Sequence, residues 1–347
     1  MVTRAFSTKL MQALQLTAPR QFEFVEQAEP SAPGPCEAVI RVHAVGVCGT
    51  DVSGYLGKMP FIQYPRILGH ELGIEVLAVG SAVTHVKVGD RCSVEPYMNC
   101  GTCPTCLRGN TNCCESLQVL GVHCDGGLRP SIVLPAHKLH VANDLTFEQL
   151  ALVETLGIGC HAVNRGCPQA GDHVLIVGAG PIGLSVLEFA KLTGATLHVI
   201  EPNARRREFV KQTYGIESVH SALEPEQLAE LTGQRLAQVV FDATGNAGCM
   251  SRALEFAGFT GRVVYVGITT EPVPLNDPLF HRRELTLLAT RNALSSDFTR
   301  ILGLIREGQI NTQAWISHRL NFDEVPGEFP SLLKPESNVV KAVIAMP

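Results

Sequence analysis

A glycine-rich turn between a buried strand and a helix constrains the fold of this chain more than any other feature. The apolar run Val174–Val177 leads into the sequence GAGPIG at residues 178–183, which fits the pattern G-x-G-x-x-G. In this pattern Gly178 permits a tight turn, Gly180 lets the backbone approach a pyrophosphate, and Gly183 lets the helix pack close to the strand. The turn predicts a dinucleotide site, and a structural turn without cofactor is the alternative.

Alternating strands and helices surround this turn. Strands are predicted at His173–Val177, Thr196–Ile200, Gln238–Phe241, Arg262–Val266 and Leu285–Ala289. Helices are predicted at Pro181–Thr193, Ala204–Tyr214, Gly248–Ala257 and from Ser296 to about Glu307. This alternation is typical of an α/β fold with a doubly wound parallel sheet.

Residues around the glycine turn are expected to hold the cofactor. The helix that opens with Pro181 and Ile182 points its free N–H groups and positive dipole end at the phosphates. Glu201 follows at about the 20-residue spacing at which a carboxylate accepts the ribose hydroxyls. That carboxylate repels a 2′-phosphate and favours NAD, whereas Arg206 and its arginine neighbours keep NADP as the alternative. The predicted cofactor contacts also include Thr244, Val266, Gly267 and Arg291.

The regions before and after this segment have a different sequence pattern. Up to about residue 165, short β-like runs such as Glu37–Val45 are separated by glycine and proline turns, which predicts a twisted, mostly antiparallel β domain. The tail, with Val339–Ile344, is β-like again and is expected to return to this domain. We therefore predict a β-rich domain at 11–165, a dinucleotide domain at 166–295 and a C-terminal return at 296–347.

Four closely spaced cysteines predict a structural metal site. Cys100, Cys103, Cys106 and Cys114 are separated by two, two and seven residues. Four thiolates suit a tetrahedral zinc ion and leave no open position for a substrate. Cys113 is an alternative to Cys114 as the fourth ligand, and a redox-active or disulfide pair is the alternative to zinc.

A second set of residues combines a thiol, an imidazole and carboxylates. Cys48, Thr50 and Asp51 lie in a glycine-containing loop after a predicted strand, and the pair His70-Glu71 follows about twenty residues later. The set is completed by Glu154. Three protein ligands with an open fourth position are what a catalytic zinc ion requires. Each residue alone could be an ordinary buried side chain, but together they favour a catalytic metal site.

These motifs resemble the zinc-containing medium-chain dehydrogenase/reductase family, nearest the sorbitol, threonine and sugar-acid (L-galactonate-type) dehydrogenases. The resemblance covers the chain from about Met11. It implies a GroES-like β domain with both zinc ions, a Rossmann domain and an active site in the cleft between them. It further implies that Cys48, His70 and Glu71 bind the catalytic zinc.

The resemblance also assigns roles to the neighbouring residues. It implies that Glu154 binds the zinc directly or through water, and that Asp51 hydrogen-bonds the His70 ring. Thr50 is expected to accept the substrate proton. Many relatives carry a histidine in the proton relay where this chain has Ser53, so the relay is expected to use Thr50, Ser53, the ribose or water.

The expected reaction is the oxidation of a secondary alcohol, a polyol or sugar acid, to a ketone with hydride transfer to NAD. Arg291 is expected either to grip a sugar-acid carboxylate or to bind a hydroxyl or the cofactor. A threonine dehydrogenase is the alternative enzyme, and a non-catalytic dinucleotide-binding protein is the alternative of another class.

Composition excludes other classes of protein. The chain is 45% apolar and 18% charged with a net charge of −5, and it has no basic block for nucleic acid. No apolar run approaches the roughly 20 residues that span a bilayer. We expect a cytoplasmic homodimer or homotetramer. Residues 1–10 are weakly compatible with a transit peptide, but an untargeted extension is favoured.

Overall fold

A computed structural model describes residues 9–347 of the chain. Most of the predicted N-terminal extension therefore lies outside the described residues. The described chain forms two compact units: unit 1 contains the residues up to Glu154 together with Phe298–Pro347, and unit 2 is Thr155–Asp297. The division at Glu154 falls within a helix that ends near the predicted boundary at residue 165. The predicted domain limits therefore stay a prediction.

Strands occur throughout both units. In chain order they are β1 (Leu10–Ala18), β2 (Gln21–Ala28), β3 (Glu37–Val47), β4 (Glu71–Val79), β5 (Arg91–Val94), β6 (Tyr97–Met98), β7 (Gln118–Val119), β8 (Ser131–Pro135), β9 (Leu139–Val141), β10 (His173–Val177), β11 (Thr196–Ile200), β12 (Val219–His220), β13 (Ala237–Asp242), β14 (Ala257–Tyr265), β15 (Thr286–Ala289), β16 (Ile316–Asn321) and β17 (Lys341–Ala345).

The α-helices are α1 (Gly49–Tyr55), α2 (Pro104–Leu107), α3 (Phe147–Gly166), α4 (Pro181–Lys191), α5 (Ala204–Tyr214), α6 (Pro225–Leu231), α7 (Ala247–Arg252), α8 (Asp277–Arg282), α9 (Ser295–Arg306) and α10 (Val325–Glu328). Short 3₁₀ helices lie at Thr111–Cys113, Ala136–Lys138, Ala253–Phe256, Thr312–Ala314, Phe322–Glu324, Phe329–Leu333 and Pro335–Ser337. Within residues 9–347, no helix is both long and apolar enough to cross a membrane.

Unit 2 contains a six-stranded parallel sheet in the order β12-β11-β10-β13-β14-β15. This order reverses at β10, the strand before the glycine turn, as in doubly wound dinucleotide-binding folds. The predicted bounds of β10, β11 and α5 are reproduced. The helix α5 ends where predicted because Gly215 takes the left-handed conformation, with φ 66°. The predicted α/β fold class is confirmed.

One predicted helix is wrong in its second half. Residues Ala253–Phe256 form a 3₁₀ helix, and Ala257 already begins β14 instead of ending a helix. The cause is burial on a sheet: Phe256 and Ala257 are buried in the core of unit 2, and Ala257 pairs with Ala237 of β13. The longer strand β14 then ends at Tyr265, one residue before its predicted end.

Unit 1 is built around a mostly antiparallel sheet in the order β16-β17-β3-β4-β5-β9, with β8 paired to the free side of β3. Strand β3 alternates between buried and less buried side chains, and Ile40 and Val42 are fully buried. The C-terminal strand β17 pairs antiparallel with β3, so that Ile344 faces Val45. The last residues of the chain therefore line the end of β3, where the predicted metal ligands begin.

A hydrogen-bonded chain of histidines crosses the first three strands of the parallel sheet. Nη2 of Arg235 lies 3.2 Å from Nε2 of His173, and since a guanidinium only donates, His173 carries its proton on Nδ1. His173 Nδ1 lies 3.0 Å from His198 Nε2 and donates to it. His198 Nδ1 then donates to Ser218 at 2.7 Å, and Ser218 donates to Nε2 of His220 at 3.0 Å. This order of donors requires three neutral rings.

We predict that the histidine chain makes folding sensitive to acid. Burial lowers the pKa of His173 and His220 and, together with these two neighbours, that of His198 to about 4. Arg235 and Lys211 add to the lowering at the two ends, and Asp172 opposes it at His173. Because the folded-state pKa values are lowered, the neutral rings stabilise the folded protein above the usual histidine pKa of about 6.5. This stabilisation is lost as the pH falls.

The test is the free energy of unfolding, measured with urea at pH 7 and pH 5. The contribution of His198 should fall by about 2 kcal/mol over this interval. The variant His198→Leu lacks the ring, and its unfolding should therefore depend less steeply on pH. Equal pH dependence in the two proteins would contradict the prediction.

Candidate active site

Three predicted ligands meet at one end of the β3–β4 pair. Cys48 follows β3 directly, and His70 and Glu71 lie where β4 begins. Gly46 of β3 faces Glu71 in the antiparallel register, so the two strand ends are side by side. A thiol sulfur, an imidazole nitrogen and a carboxylate oxygen from Cys48, His70 and Glu71 all lie within 4.8 Å of one another. We call these three residues the ligand group.

Glycine at position 46 makes room for this arrangement. A Cβ atom there would lie 2.0 Å from Oε2 of Glu71 and 2.9 Å from its Cβ. Non-bonded atoms do not approach one another this closely, so any larger residue would displace the carboxylate. The close pairing of β3 and β4 at this point is therefore a condition for the ligand group.

Asp51 lies beside the ligand group on helix α1. Its Oδ2 accepts a hydrogen bond from the backbone N–H of Cys48 at 2.9 Å, which fixes the start of the helix. Its Oδ1 lies 3.7 Å from Nδ1 of His70, longer than the predicted hydrogen bond. Both atoms are buried without a hydrogen-bond partner in the part of the chain that the structure describes. Thr50 is on the same helix and is half-buried.

Glu154 lies near the ligand group but is not one of its members. The side chain is 5% exposed, on helix α3. Its Oε1 accepts a hydrogen bond of 2.5 Å from the hydroxyl of Tyr97. Burial raises the pKa of Glu154, and the neighbouring carboxylate of Glu71 adds to this, while His70 lowers it. Glu154 therefore interacts electrostatically with the ligand group.

A buried lysine balances the charge of Glu71. Nζ of Lys341 lies 2.7 and 2.9 Å from the two carboxylate oxygens of Glu71 and 3.2 Å from the carbonyl oxygen of Val47. Lys341 is 1% exposed and Glu71 is 0% exposed. Burial would lower the pKa of Lys341, but Glu71, Cys48 and Glu154 together raise it. The same negative surroundings favour a metal cation.

These observations fit the expected zinc ion. Sulfur, nitrogen and oxygen donors are the ligand types that zinc accepts, and three protein ligands leave a position for a substrate. Burial lowers the pKa of His70, but Asp51, Cys48 and Glu154 outweigh this and raise it well above its usual value. A site that attracts a proton so strongly attracts a metal cation for the same reason.

The four-cysteine loop forms a second, separate group. The sulfurs of Cys100, Cys103, Cys106 and Cys114 lie within 4.8 Å of one another, and Cys113 is not among them. All twelve cysteines are free of disulfides. Hydrogen bonds from the Thr105 hydroxyl and from backbone N–H groups lower the pKa of Cys103 to about 5. Such thiolates suit a closed zinc site.

The glycine turn of unit 2 has the shape that a dinucleotide requires. Gly178 has φ 91°, and a Cβ atom on Gly183 would lie 1.8 Å from the carbonyl oxygen of Gly178. Gly180 is the N-cap of α4, which opens with Pro181 and Ile182. Among the described residues, a Cβ atom on Gly180 would have the Arg206 guanidinium, at 3.8 Å, as its one neighbour within 4 Å outside the turn. The turn is therefore open above Gly180, where a phosphate is expected.

The other predicted cofactor residues lie around this turn. Glu201 accepts hydrogen bonds from the backbone N–H groups of Ala179 and Asn203, both at 2.8 Å, and its Oε2 lies 4.0 Å from Arg206. A Cβ atom on Gly178 would lie 3.2 Å from Cγ2 of Thr244. The loops that follow β10, β11 and β13 thus meet at the carboxyl edge of the sheet.

The loop that follows β14 is placed by Asp242 and by close backbone packing. The N–H groups of Val266 and Gly267 donate to the carbonyl oxygen of Asp242 at 2.8 and 3.1 Å. A Cβ atom on Gly267 would lie 2.3 Å from the backbone nitrogen of Gly245. Arg291 follows β15 and is exposed.

Known proteins are similar to this chain in sequence and in fold. Residues 34–144 match the alcohol dehydrogenase GroES-like domain, and residues 181–307 match the zinc-binding dehydrogenase family. The chain is 36% identical to L-galactonate-5-dehydrogenase of Escherichia coli K12 over 92% of this chain and 94% of that protein. It is 36% identical to 2-dehydro-3-deoxy-L-galactonate 5-dehydrogenase of Pseudoalteromonas atlantica over 88% and 91% of the two chains.

A solved structure has the same fold. The structure of the alcohol dehydrogenase RspB from Escherichia coli CFT073, complexed with NADH, has a TM-score of 0.89 and 26% identity and covers 97% of this chain and 99% of that one. Fold, ligand groups and relatives define a zinc-binding dehydrogenase that uses a nicotinamide dinucleotide. The chain belongs to the zinc-containing alcohol dehydrogenases of the medium-chain dehydrogenase/reductase family, which confirms the predicted family and enzyme class.

Sequence reasoning missed two residues of this site. Lys341 is a single lysine at the start of an apolar strand, and Tyr97 follows Glu95 and Pro96 just before the four-cysteine loop. A lysine in an otherwise apolar strand signals a buried partner, because a charged group is rarely buried without one. For Tyr97 the sequence offers no comparable signal.

We predict two zinc ions per chain, one in each group. The variant Cys114→Ser should lose one ion, because three sulfurs no longer close the tetrahedral site. The matched control is Cys113→Ser, which changes an exposed neighbour and should keep both ions. Zinc content is measured by mass spectrometry after removal of free metal. Loss of an ion from the Cys113 variant instead would identify Cys113 as the fourth ligand.

Proposed function

We propose that this enzyme oxidises a secondary alcohol of a sugar acid to a ketone and transfers the hydride to NAD. The observation that carries this proposal is the buried ligand group of Cys48, His70 and Glu71 in a chain that also has the open glycine turn at Gly178–Gly183. The two similar sugar-acid dehydrogenases support the substrate class. A neutral polyol is the second candidate, because Arg291 can bind a hydroxyl as well as a carboxylate.

The residues of unit 1 have distinct roles in this proposal. Cys48, His70 and Glu71 would hold the zinc ion, which supplies Lewis acidity that lowers the pKa of an alcohol. Thr50 accepts the alcohol proton and passes it towards solvent, with Ser53 in the position that relatives give to a relay histidine. Asp51, whose Oδ1 lies 3.7 Å from Nδ1 of His70, would orient that ring through charge attraction.

The residues of unit 2 hold the cofactor. Gly178, Gly180 and Gly183 shape the turn for the pyrophosphate, and the N-terminus of α4 faces it with free N–H groups. Glu201 binds the adenosine ribose and thereby favours NAD over NADP. The exposed Arg291 is proposed to pair with the carboxylate of the substrate.

The remaining assignments stay predictions. These are the domain limits at residues 165 and 295, a homodimer or homotetramer, a cytoplasmic location and NAD instead of NADP. A threonine dehydrogenase stays the alternative enzyme, and oxidation of threonine would appear in the same assay. A protein without catalytic activity would bind the dinucleotide but form no NADH with any alcohol.

The first test measures NADH formation with zinc-loaded protein, NAD and parallel sets of aldonates, neutral polyols and threonine. We expect the highest kcat/KM with an aldonate. The variant Cys48→Ala should lose turnover because the ligand group is broken, while NAD binding is kept. The control variant Cys36→Ala removes an exposed thiol and should keep full activity. Normal turnover in the Cys48 variant would refute the metal assignment.

A second test addresses Arg291. Replacing a bidentate arginine–carboxylate pair should raise KM for aldonates about 10-fold or more in the variant Arg291→Ala. The KM for a neutral polyol should change little in that variant, since no carboxylate is present. An equal effect on both substrate classes would show that Arg291 binds a hydroxyl or the cofactor instead.

A further inference from the structure

The hydroxyl of Tyr97 is aimed at Glu154 inside the core of unit 1. Tyr97 is 1% exposed, and its hydrogen bond to Oε1 of Glu154 measures 2.5 Å. A phenol is protonated at neutral pH, so the Tyr97 hydroxyl donates this hydrogen bond and the carboxylate oxygen accepts it.

The segment that carries Tyr97 is fixed at both ends. On one side the buried carboxylate of Glu95 forms an ion pair with Lys138. On the other side Lys138 Nζ donates to Oδ1 of Asn99 at 2.7 Å, and the Asn99 amide contacts the sulfur of Cys106 at 3.7 Å. Because Cys106 belongs to the four-cysteine group, these contacts connect the segment around Tyr97 both to the Glu95–Lys138 ion pair and to that group.

The ring of Tyr97 is held as firmly as its backbone. Tyr97 pairs with Val119 in the short β6–β7 ladder, and its ring meets that of Phe298 edge to face at 6.3 Å between centroids. A phenol fixed in this way can hold a carboxylate in one orientation. The ring contacts do not depend on the hydroxyl, so replacement by phenylalanine preserves them.

We propose that Tyr97 is a positioning residue that holds the Glu154 carboxylate outside the ligand group, so that Cys48, His70 and Glu71 keep one position open for the alcohol. This inference rests on the proposed function. The anchored Oε1 cannot turn towards a cation without breaking a buried hydrogen bond. Without the hydroxyl, Glu154 would lose this donor and keep the attraction of Lys341 and of a cation in the ligand group. The freed carboxylate would then be able to become a fourth ligand and close the open position.

The decisive variant is Tyr97→Phe, and the chain provides a matched control. Tyr214 is likewise buried and donates to a buried glutamate, Glu188, at 3.0 Å within unit 2, and neither residue is a predicted site residue. Tyr214→Phe removes the same hydroxyl from the same kind of partner. Both variants keep the ring, and we expect similar, small decreases in their unfolding temperatures.

The readouts are turnover and the visible absorption of protein loaded with Co²⁺ in place of zinc. Tyr97→Phe should lower kcat about 10- to 100-fold, the range found for residues that orient metal-site groups. Its Co²⁺ spectrum should change and its Co²⁺ affinity should not fall, because a ligand is gained. A merely structural residue would lower the affinity instead. The Tyr214→Phe control should leave all three quantities unchanged.

A second variant keeps the inference testable if Tyr97→Phe fails to fold. Glu154→Gln should leave the Co²⁺ spectrum of the otherwise normal protein unchanged, since Glu154 is not a ligand there. A changed spectrum in Glu154→Gln, or an unchanged kcat and spectrum in folded Tyr97→Phe, would overturn the inference. If the normal protein oxidises no alcohol, the proposed function fails, and the Co²⁺ spectra still decide the role of Tyr97.

Discussion

The structure of unit 1 depends on the compensation of negative charge buried in one place. Asp51, Glu71 and Glu154 are each at most 5% exposed, and the thiol of Cys48 lies among them. Leaving such groups without a counter-charge would cost several kcal/mol. Lys341 provides one positive charge directly on Glu71, and the ligand group favours a metal cation as the second. The strand β17 brings Lys341 from the end of the chain, so the position of this strand beside β3 is an electrostatic requirement as well as a packing one.

Much of unit 2 could be predicted because its signals are local. The bounds of β10 and β11 follow from apolar runs, and those of α5 from Asn203 at its start and Gly215 at its end, all within a few residues. The error at Ala257 shows where local signals fail. Alanine and phenylalanine suit either a helix or a strand, and pairing with Ala237 on another strand decides between them.

The site could be predicted only in part, for a related physical reason. Ligand types and their spacing are visible in Cys48, His70, Glu71 and the four-cysteine loop, since metal chemistry restricts them. The partners that orient these ligands are set by tertiary pairing. Lys341 lies 270 residues from Glu71, and its contact depends on the register of β17 against β3, which no motif specifies.

The glycine at position 46 bears on how sequence variation in this enzyme should be interpreted. Gly46 has no side chain, and it faces Glu71 on one neighbouring strand and Val343 on the other. An alanine there would meet the carboxylate at 2.0 Å and force it away from Lys341. In random mutagenesis, variants at this position would therefore lose activity, although Gly46 takes no direct part in the reaction. Libraries that aim to broaden the substrate range should leave it constant.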